Sequence, residues 1–176
     1  MKQTTADEML KRLDERKKRG HHIDERLIQA VQAPGNLFMI SLEDEASFLS
    51  LIWQESDPAR LLTPPSQPRT LRDVAGRMVD NSWTFASLST FIGRPSTQHD
   101  PTWFERCKRI DSNFDFDQFD FLAIVAANDS ERHQSPAGSF YIFDGIHRAL
   151  VLAHRVLAGN TIYQPTEALL ITPRRN

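Results

Sequence analysis

A single cysteine, Cys107, stands in a chain of 176 residues, so no intrachain disulfide can form and a reducing cytoplasm is the expected location. Long apolar runs are missing as well. No stretch approaches the roughly 18 consecutive apolar residues of a membrane span, so no membrane insertion is expected. The opening "MKQTTADEMLKRLDERKKRG" lacks the apolar h-region of a secretory signal. Charge of one sign is not in excess either. A formal net charge of −2 excludes a histone-like binder and an acidic tail, leaving any nucleic-acid contact to local patches. Internal repeats and long low-complexity segments are also absent.

What remains is a chain long enough to bury a core without metal or disulfide support. Residues 1–33 read as a basic helical arm, and 34–176 as a single domain. In the arm, Met9, Leu10 and Leu13 form a thin apolar stripe among Lys11, Arg12, Arg16, Lys17, Lys18 and Arg19. Two readings stand for it: a solvated or frayed helix, and an arm that tracks phosphates. "NLFMISL" (36–42) predicts a buried strand, and the spacing in 43–56 predicts an amphipathic helix with acidic residues at its start. A proline-punctuated loop (57–69) leads to a helix over 70–83, and a loop from 94 leads to a short helix ending near 110. Strands are expected over 119–128, 139–143 and 166–173, with a polar connection over 129–139 and a helix over 146–158. Strands and helices mix without strict alternation, which predicts an α+β fold with a small mixed sheet flanked by helices.

The stretch "YIFDGIHRALVLAHR" (141–155) carries the chemistry. Ile146, Ala149, Leu150, Ala153, Val156 and Leu157 give the helix its apolar stripe. Asp144 stands at the expected N-cap, where its carboxylate can accept first-turn N–H groups. Gly145 permits a backbone geometry or close approach that a side chain would block. His147 and Arg148 fall in the first turn, where unpaired N–H groups and the helix dipole favour an anion. A guanidinium fork and an imidazole there suit a phosphate. On spacing alone, a capped helix with two ordinary surface residues is the favoured explanation.

"GSFYIFDGIHRALVLA" (138–153) resembles the signature of the ParB/sulfiredoxin superfamily, in which a strand runs into a glycine, a His-Arg or Arg-Arg pair, and a helix. "QPRTLRDVAGRMVDNSW" (67–83) and "FDFLAIVAAN" (119–128) resemble further segments of that fold in the same order. The resemblance implies a corner that grips nucleotide phosphates through Gly145, His147 and Arg148. It also implies added contacts from Arg69, Arg77 and Asn81. Sulfiredoxins carry cysteine immediately before the His-Arg pair, whereas Ile146 stands here, which removes sulfinic-acid reduction. No helix-turn-helix module of a partition ParB is read after the signature helix. "DPTWFERCKRIDSNFDFDQF" (100–119) and "QPTEALLITPRR" (164–175) are similar to plasmid fertility-inhibition factors of the oncogenic-suppression type. That likeness implies ATP hydrolysis and ATP-regulated DNase activity. The expected partners are the transferred DNA strand and components of a type IV secretion system.

On this reading Asp144, His147 and Arg148 are the catalytic candidates, with ATP and Mg²⁺ as cofactors. Asp144, Asp115 and Asp117 are the candidate Mg²⁺ ligands. "IDSNFDFDQFDF" (110–121) is no EF-hand, since Phe116 and Leu122 stand at its glycine and glutamate positions. Its alternating Phe114, Phe116, Phe119 and Phe121 equally suit a packed segment with aspartates outward. His154 and Arg155 read as surface residues, with Arg155 able to extend a basic track; Trp53, Trp83 and Trp103 read as core. Two alternatives stay open: a small-molecule (amino-acid) kinase of the same fold, and a non-catalytic nucleotide-binding module that inhibits a secretion component by docking.

Overall fold

Five short segments pair through their backbones into one mixed sheet. The structure is a computed structural model and describes residues 1–20, 23–53, 70–92, 102–116, 119–126 and 139–173. Strands β1 (Lys2–Thr4), β2 (Gly35–Leu42), β3 (Leu122–Ala126), β4 (Phe140–Asp144) and β5 (Thr166–Pro173) lie in the order β1-β2-β5-β3-β4. All neighbours are antiparallel except β3 and β5, which run parallel. Among the described residues the helices are α1 (Ala6–Lys18), α2 (Glu25–Gln32), α3 (Glu45–Leu49), α4 (Leu71–Asp80), α5 (Phe85–Ile92), α6 (Thr102–Ser112) and α7 (Ile146–Leu157). This is the α+β domain that the pattern predicts. No helix among these residues is long and apolar enough to cross a membrane.

The period of two along each strand divides the side chains between two cores. Leu37, Phe121, Ala123, Leu169 and Ile171 meet Met9 and Leu13 of α1 and Leu27 and Val31 of α2 on one face. Leu42, Leu122, Ile124, Ile142 and Ala168 meet α4, α5, α6 and α7 on the other. Helix α7 is the centre of that second layer. Its residues Ala149 to Ala153 are all buried, more than one stripe, because it packs on the sheet with α4 and α6 against its other sides.

Segment 1–33, expected as an arm, is built into the sheet. β1 pairs along β2, and Thr5 closes a capping box with Glu8 at the start of α1. Met9, Leu13 and Arg16 of α1 are buried at spacings of four and three. Helix α2, capped by Asp24, and helix α5 were not predicted. The helix expected over 43–56 stops at Leu49. Beyond it, Ile52 donates to Phe140 O at 2.8 Å and accepts from Ile142 N at 3.1 Å, pairing with the edge of β4. An unpaired strand edge competes for those backbone groups and overrides a helical spacing of side chains. The loops expected over 57–69 and 94–101, most of the connection over 129–139, and the C-terminal arginines lie outside the described residues.

Met9 is fully buried. Met9→Ala is expected to lower the stability of the whole domain by about 2–5 kcal/mol, the cost of a core cavity. Urea denaturation measures it, and an unchanged midpoint would return residues 1–18 to the status of an arm.

Candidate anion-binding site

At the end of β4 the chain must turn directly into α7, and Gly145 makes the turn. It is the N-cap, with φ +90°, and offers no side-chain cap. A Cβ at this position would lie 2.7 Å from Leu122 Cδ2 and 3.1 Å from Arg148 Nη2. Glycine is therefore required twice, by conformation and by space. Asp144 is not the N-cap that the sequence suggests. It ends the strand, and its carboxylate lies toward α1, with Oδ2 3.9 Å from Arg16 Nη2. The first turn of α7 thus presents its amides without a side-chain acceptor from the cap residue.

Arg148 follows in that first turn. Its Nη2 donates to Phe121 O at 3.4 Å, its guanidinium carbon lies 5.9 Å from the Phe119 ring centre, and Nη1 is buried with no hydrogen-bond partner. Burial, reinforced by the nearby Arg16 charge, brings its pKa down to about 10, against the opposing pull of Asp144 and Asp120. It remains a cation at neutral pH, held where an additional anion would be welcome.

His147 behaves differently. Its ring packs on Trp103 of α6 at 4.5 Å between centroids, tilted by 34°, and Nε2 is buried without a partner. Burial, and then the charges of Arg106 and Arg148, lower its pKa to about 4. At neutral pH it is an uncharged imidazole, suited to hydrogen bonding rather than to supplying fixed charge. Trp103 in turn leans on the buried Trp53 at 5.2 Å, so α6 closes one side of the corner.

The structure thus gathers Asp144, Gly145, His147 and Arg148 in one place. Arg77 and Asn81 are not joined to them by a hydrogen bond, ion pair or ring contact among the described residues. Asn81 instead ends α4, its amide donating to Arg77 O at 2.8 Å, and the Arg77 guanidinium lies 6.0 Å from the Trp83 ring centre. Asp115 is exposed, while Asp117 and Arg69 lie outside the described residues. No group of three or more His, Cys, Asp or Glu among those residues is arranged to hold a metal ion. Arg155 is no free basic track: it pairs with Asp111 at 2.7 Å and packs over Phe114, tying α7 to α6. Cys107 is a buried thiol whose pKa is pushed well up by desolvation, the environment of an inert cysteine.

Two members of the corner escaped the sequence reading. Asp120, expected to face solvent, places Oδ2 2.7 Å from Arg16 Nε, and Arg16 is only 4% exposed. The signal for Arg16 was its position on the Met9–Leu13 stripe, one helical turn beyond Leu13. No protein-family model, curated protein or solved structure matches this chain.

Gly145→Ala is expected to destabilise the fold by about 2 kcal/mol or more through strain and the Leu122 clash. Gly159→Ala, also at positive φ but with nothing within 4 Å, supplies the comparison. Equal losses for the two in urea titration would remove the close approach from the account. His147 also predicts a pH dependence. Its folded pKa lies below its ordinary value of 6.5, so the native state resists a proton that the unfolded chain accepts. The resulting stabilisation is complete above pH 6.5 and is lost as pH falls toward 4, on the order of 2–3 kcal/mol. His154, shifted in the same direction by burial, adds to the slope. His147→Phe should flatten the fall in unfolding midpoint between pH 6.5 and 4, and an unchanged slope would locate the titration elsewhere.

Proposed function

We propose that this protein binds a nucleotide phosphate at the N-terminus of α7 and acts as a plasmid fertility-inhibition factor, hydrolysing ATP and cutting transferred DNA under ATP control. The observation that supports the first step is the set of unpartnered polar groups at the corner. An uncapped helix start, a buried guanidinium with an unpartnered Nη1 and a buried imidazole with an unpartnered Nε2 stand within three residues of one another. Such a set asks for an oxyanion with several acceptor atoms. Leu122 and Arg148 fill the space where a Cβ at residue 145 would stand, which keeps the turn closely packed. The steps beyond binding rest on the resemblance of 138–153 and its flanking segments to the superfamily signature and to fertility-inhibition factors.

In this reading Arg148 and the first-turn amides hold phosphate oxygens, and neutral His147 donates or accepts a hydrogen bond at the same group. Mg²⁺ would accompany the nucleotide and neutralise phosphate charge, with Asp144 the carboxylate at the corner. Type IV secretion components and the transferred strand are the partners the reading requires, DNA being engaged through phosphate contacts.

A second reading, a non-catalytic nucleotide-binding module that inhibits by docking, draws support from a specific feature. The Asp144 carboxylate lies beside Arg16, and His147 is enclosed by Trp103, so neither is an exposed general base.

ATP binding, ATP turnover and DNA cleavage measured with Mg²⁺ and with chelator separate the two. The His147→Ala/Arg148→Ala protein is expected to lose at least about tenfold in ATP affinity, the loss of charge-assisted hydrogen bonds, and both activities with it. Undiminished binding by the double variant would remove the corner from the function. Retained inhibition of plasmid transfer by a variant that neither binds nor cleaves would remove nucleotide chemistry from the inhibition.

A further inference from the structure

Arg16 and Arg148 come from opposite layers of the protein. Arg16 belongs to α1, which covers one face of the sheet, and Arg148 to α7, which covers the other. They converge where β3 begins and β4 ends, since Ala123 pairs with Asp144 in the antiparallel register. Two carboxylates lie near this meeting point. Asp120 Oδ1 is occupied by the N–H of Phe121 at 2.8 Å, and Oδ2 is 2.7 Å from Arg16 Nε. The Arg16 Nε–H is not directed at the carboxylate, so that contact is an ion pair without an aligned hydrogen bond. Asp144 Oδ2, at 3.9 Å from Arg16 Nη2, is too far for one. Phe121 O takes Arg148 Nη2 at 3.4 Å.

The neighbouring acceptors still leave guanidinium N–H groups without an aligned partner. Arg16 Nη1 and Arg148 Nη1 are buried without a hydrogen-bond partner, whereas Arg16 Nε is held in its ion pair with Asp120. Arg16 covers the Phe121 ring at 4.8 Å, which accommodates the cation but leaves its N–H fan unsatisfied. Protein interiors rarely leave such groups unmatched, and unmatched buried donors mark a place where an acceptor is missing. An acceptor able to serve both guanidiniums and the first turn of α7 needs several oxygens and negative charge, as a phosphate has. Arg12 makes a useful contrast. It lies over the same ring at 4.9 Å, but its guanidinium is matched by Glu167 at 2.8 Å near the surface.

We propose that Arg16 is a second phosphate ligand, so that one phosphate is gripped between the guanidiniums of α1 and α7 and its binding pins the N-terminal helix to the corner. The proposal rests on the phosphate reading above and extends it to the other face of the sheet. A nucleotide's terminal phosphate and a DNA backbone phosphate share the required chemistry, and separate ligands distinguish them.

The test titrates the full-length protein with ATP, with inorganic phosphate and with an unphosphorylated single-stranded oligonucleotide. Arg16→Met, Arg16→Lys, Arg12→Ala and Arg148→Ala are compared with the wild type, each checked for folding by circular dichroism. Arg16→Met should weaken ATP and phosphate binding by at least about tenfold. Arg16→Lys should recover part of the loss, having the charge without the fork. Arg12→Ala should bind as the wild type does. Effects confined to ATP and phosphate identify a terminal phosphate as the ligand, and effects confined to the oligonucleotide identify a backbone phosphate. Hydrogen exchange of the wild type supplies a second measurement that does not depend on any variant folding. ATP should slow the amides of residues 13–18 more than those of α2, and Arg148→Ala should abolish the difference. Wild-type affinity of folded Arg16→Met for ATP, phosphate and the oligonucleotide alike, or no selective slowing of residues 13–18 by any ligand the protein binds, would overturn the role of Arg16. If Arg148→Ala still weakened binding, the α7 site would stand. Failure of the wild type to bind any of the three ligands would overturn both.

Discussion

Two guanidiniums buried beside two carboxylates, at the end of the sheet where β3 begins and β4 ends, set the terms for the rest of the molecule. Arg16 cannot be withdrawn from water unless Asp120 and Asp144 are near it, and those aspartates flank the two strands whose pairing creates the corner. Helix α1 must therefore lie across the sheet with its third turn over Phe121, which places Met9 and Leu13 in the core behind it. Removing either sign of charge leaves the other buried and uncompensated. The cluster thus links the edge-strand side of the fold, through α1, to the β4–α7 turn on the far side.

The same corner shows how little freedom the turn has. Gly145 places the start of α7 against Leu122, the first residue of β3, and Arg148 folds back over the glycine. Any side chain at 145 would move the helix start away from the strand and with it the first-turn amides. Asp144, released from capping by this geometry, serves the ionic cluster instead. One backbone conformation therefore decides both the uncapped helix start and the direction of the neighbouring carboxylate. The proposed phosphate site rests on those two consequences.

Much of the core was legible because short-range periodicity reports burial directly. Strand 166–173 and the helix from Ile146 appear where the alternation and the 3.6-residue spacing put them, and Thr70 caps α4 where the helix was expected to begin. Failures occurred where long-range partners outweighed local pattern. Ile52 has a helical spacing of apolar neighbours, yet it pairs with β4 because that edge needed backbone partners. Segment 1–33 looked like an arm because its apolar stripe is thin, and a thin stripe suffices when β1 is hydrogen-bonded to β2 and α2 shares the same face. The alternation of phenylalanines points Asp120 outward, but the buried cation of α1 draws its carboxylate into the corner.

The candidate site divides along the same line. Sequence alone determined that a glycine-led helix start carries His147 and Arg148 in its first turn, because adjacency along the chain places them there whatever the fold. It also determined that Ile146 brings no thiol to that position. Only the tertiary structure decided that His147 is neutral against Trp103, that Asp144 faces α1, and that Arg16, more than a hundred residues away in sequence, stands at the same corner. The physical reason is desolvation. The charge state and partners of a buried ionisable group depend on which elements close over it, and those elements are brought together by the fold rather than by spacing along the chain.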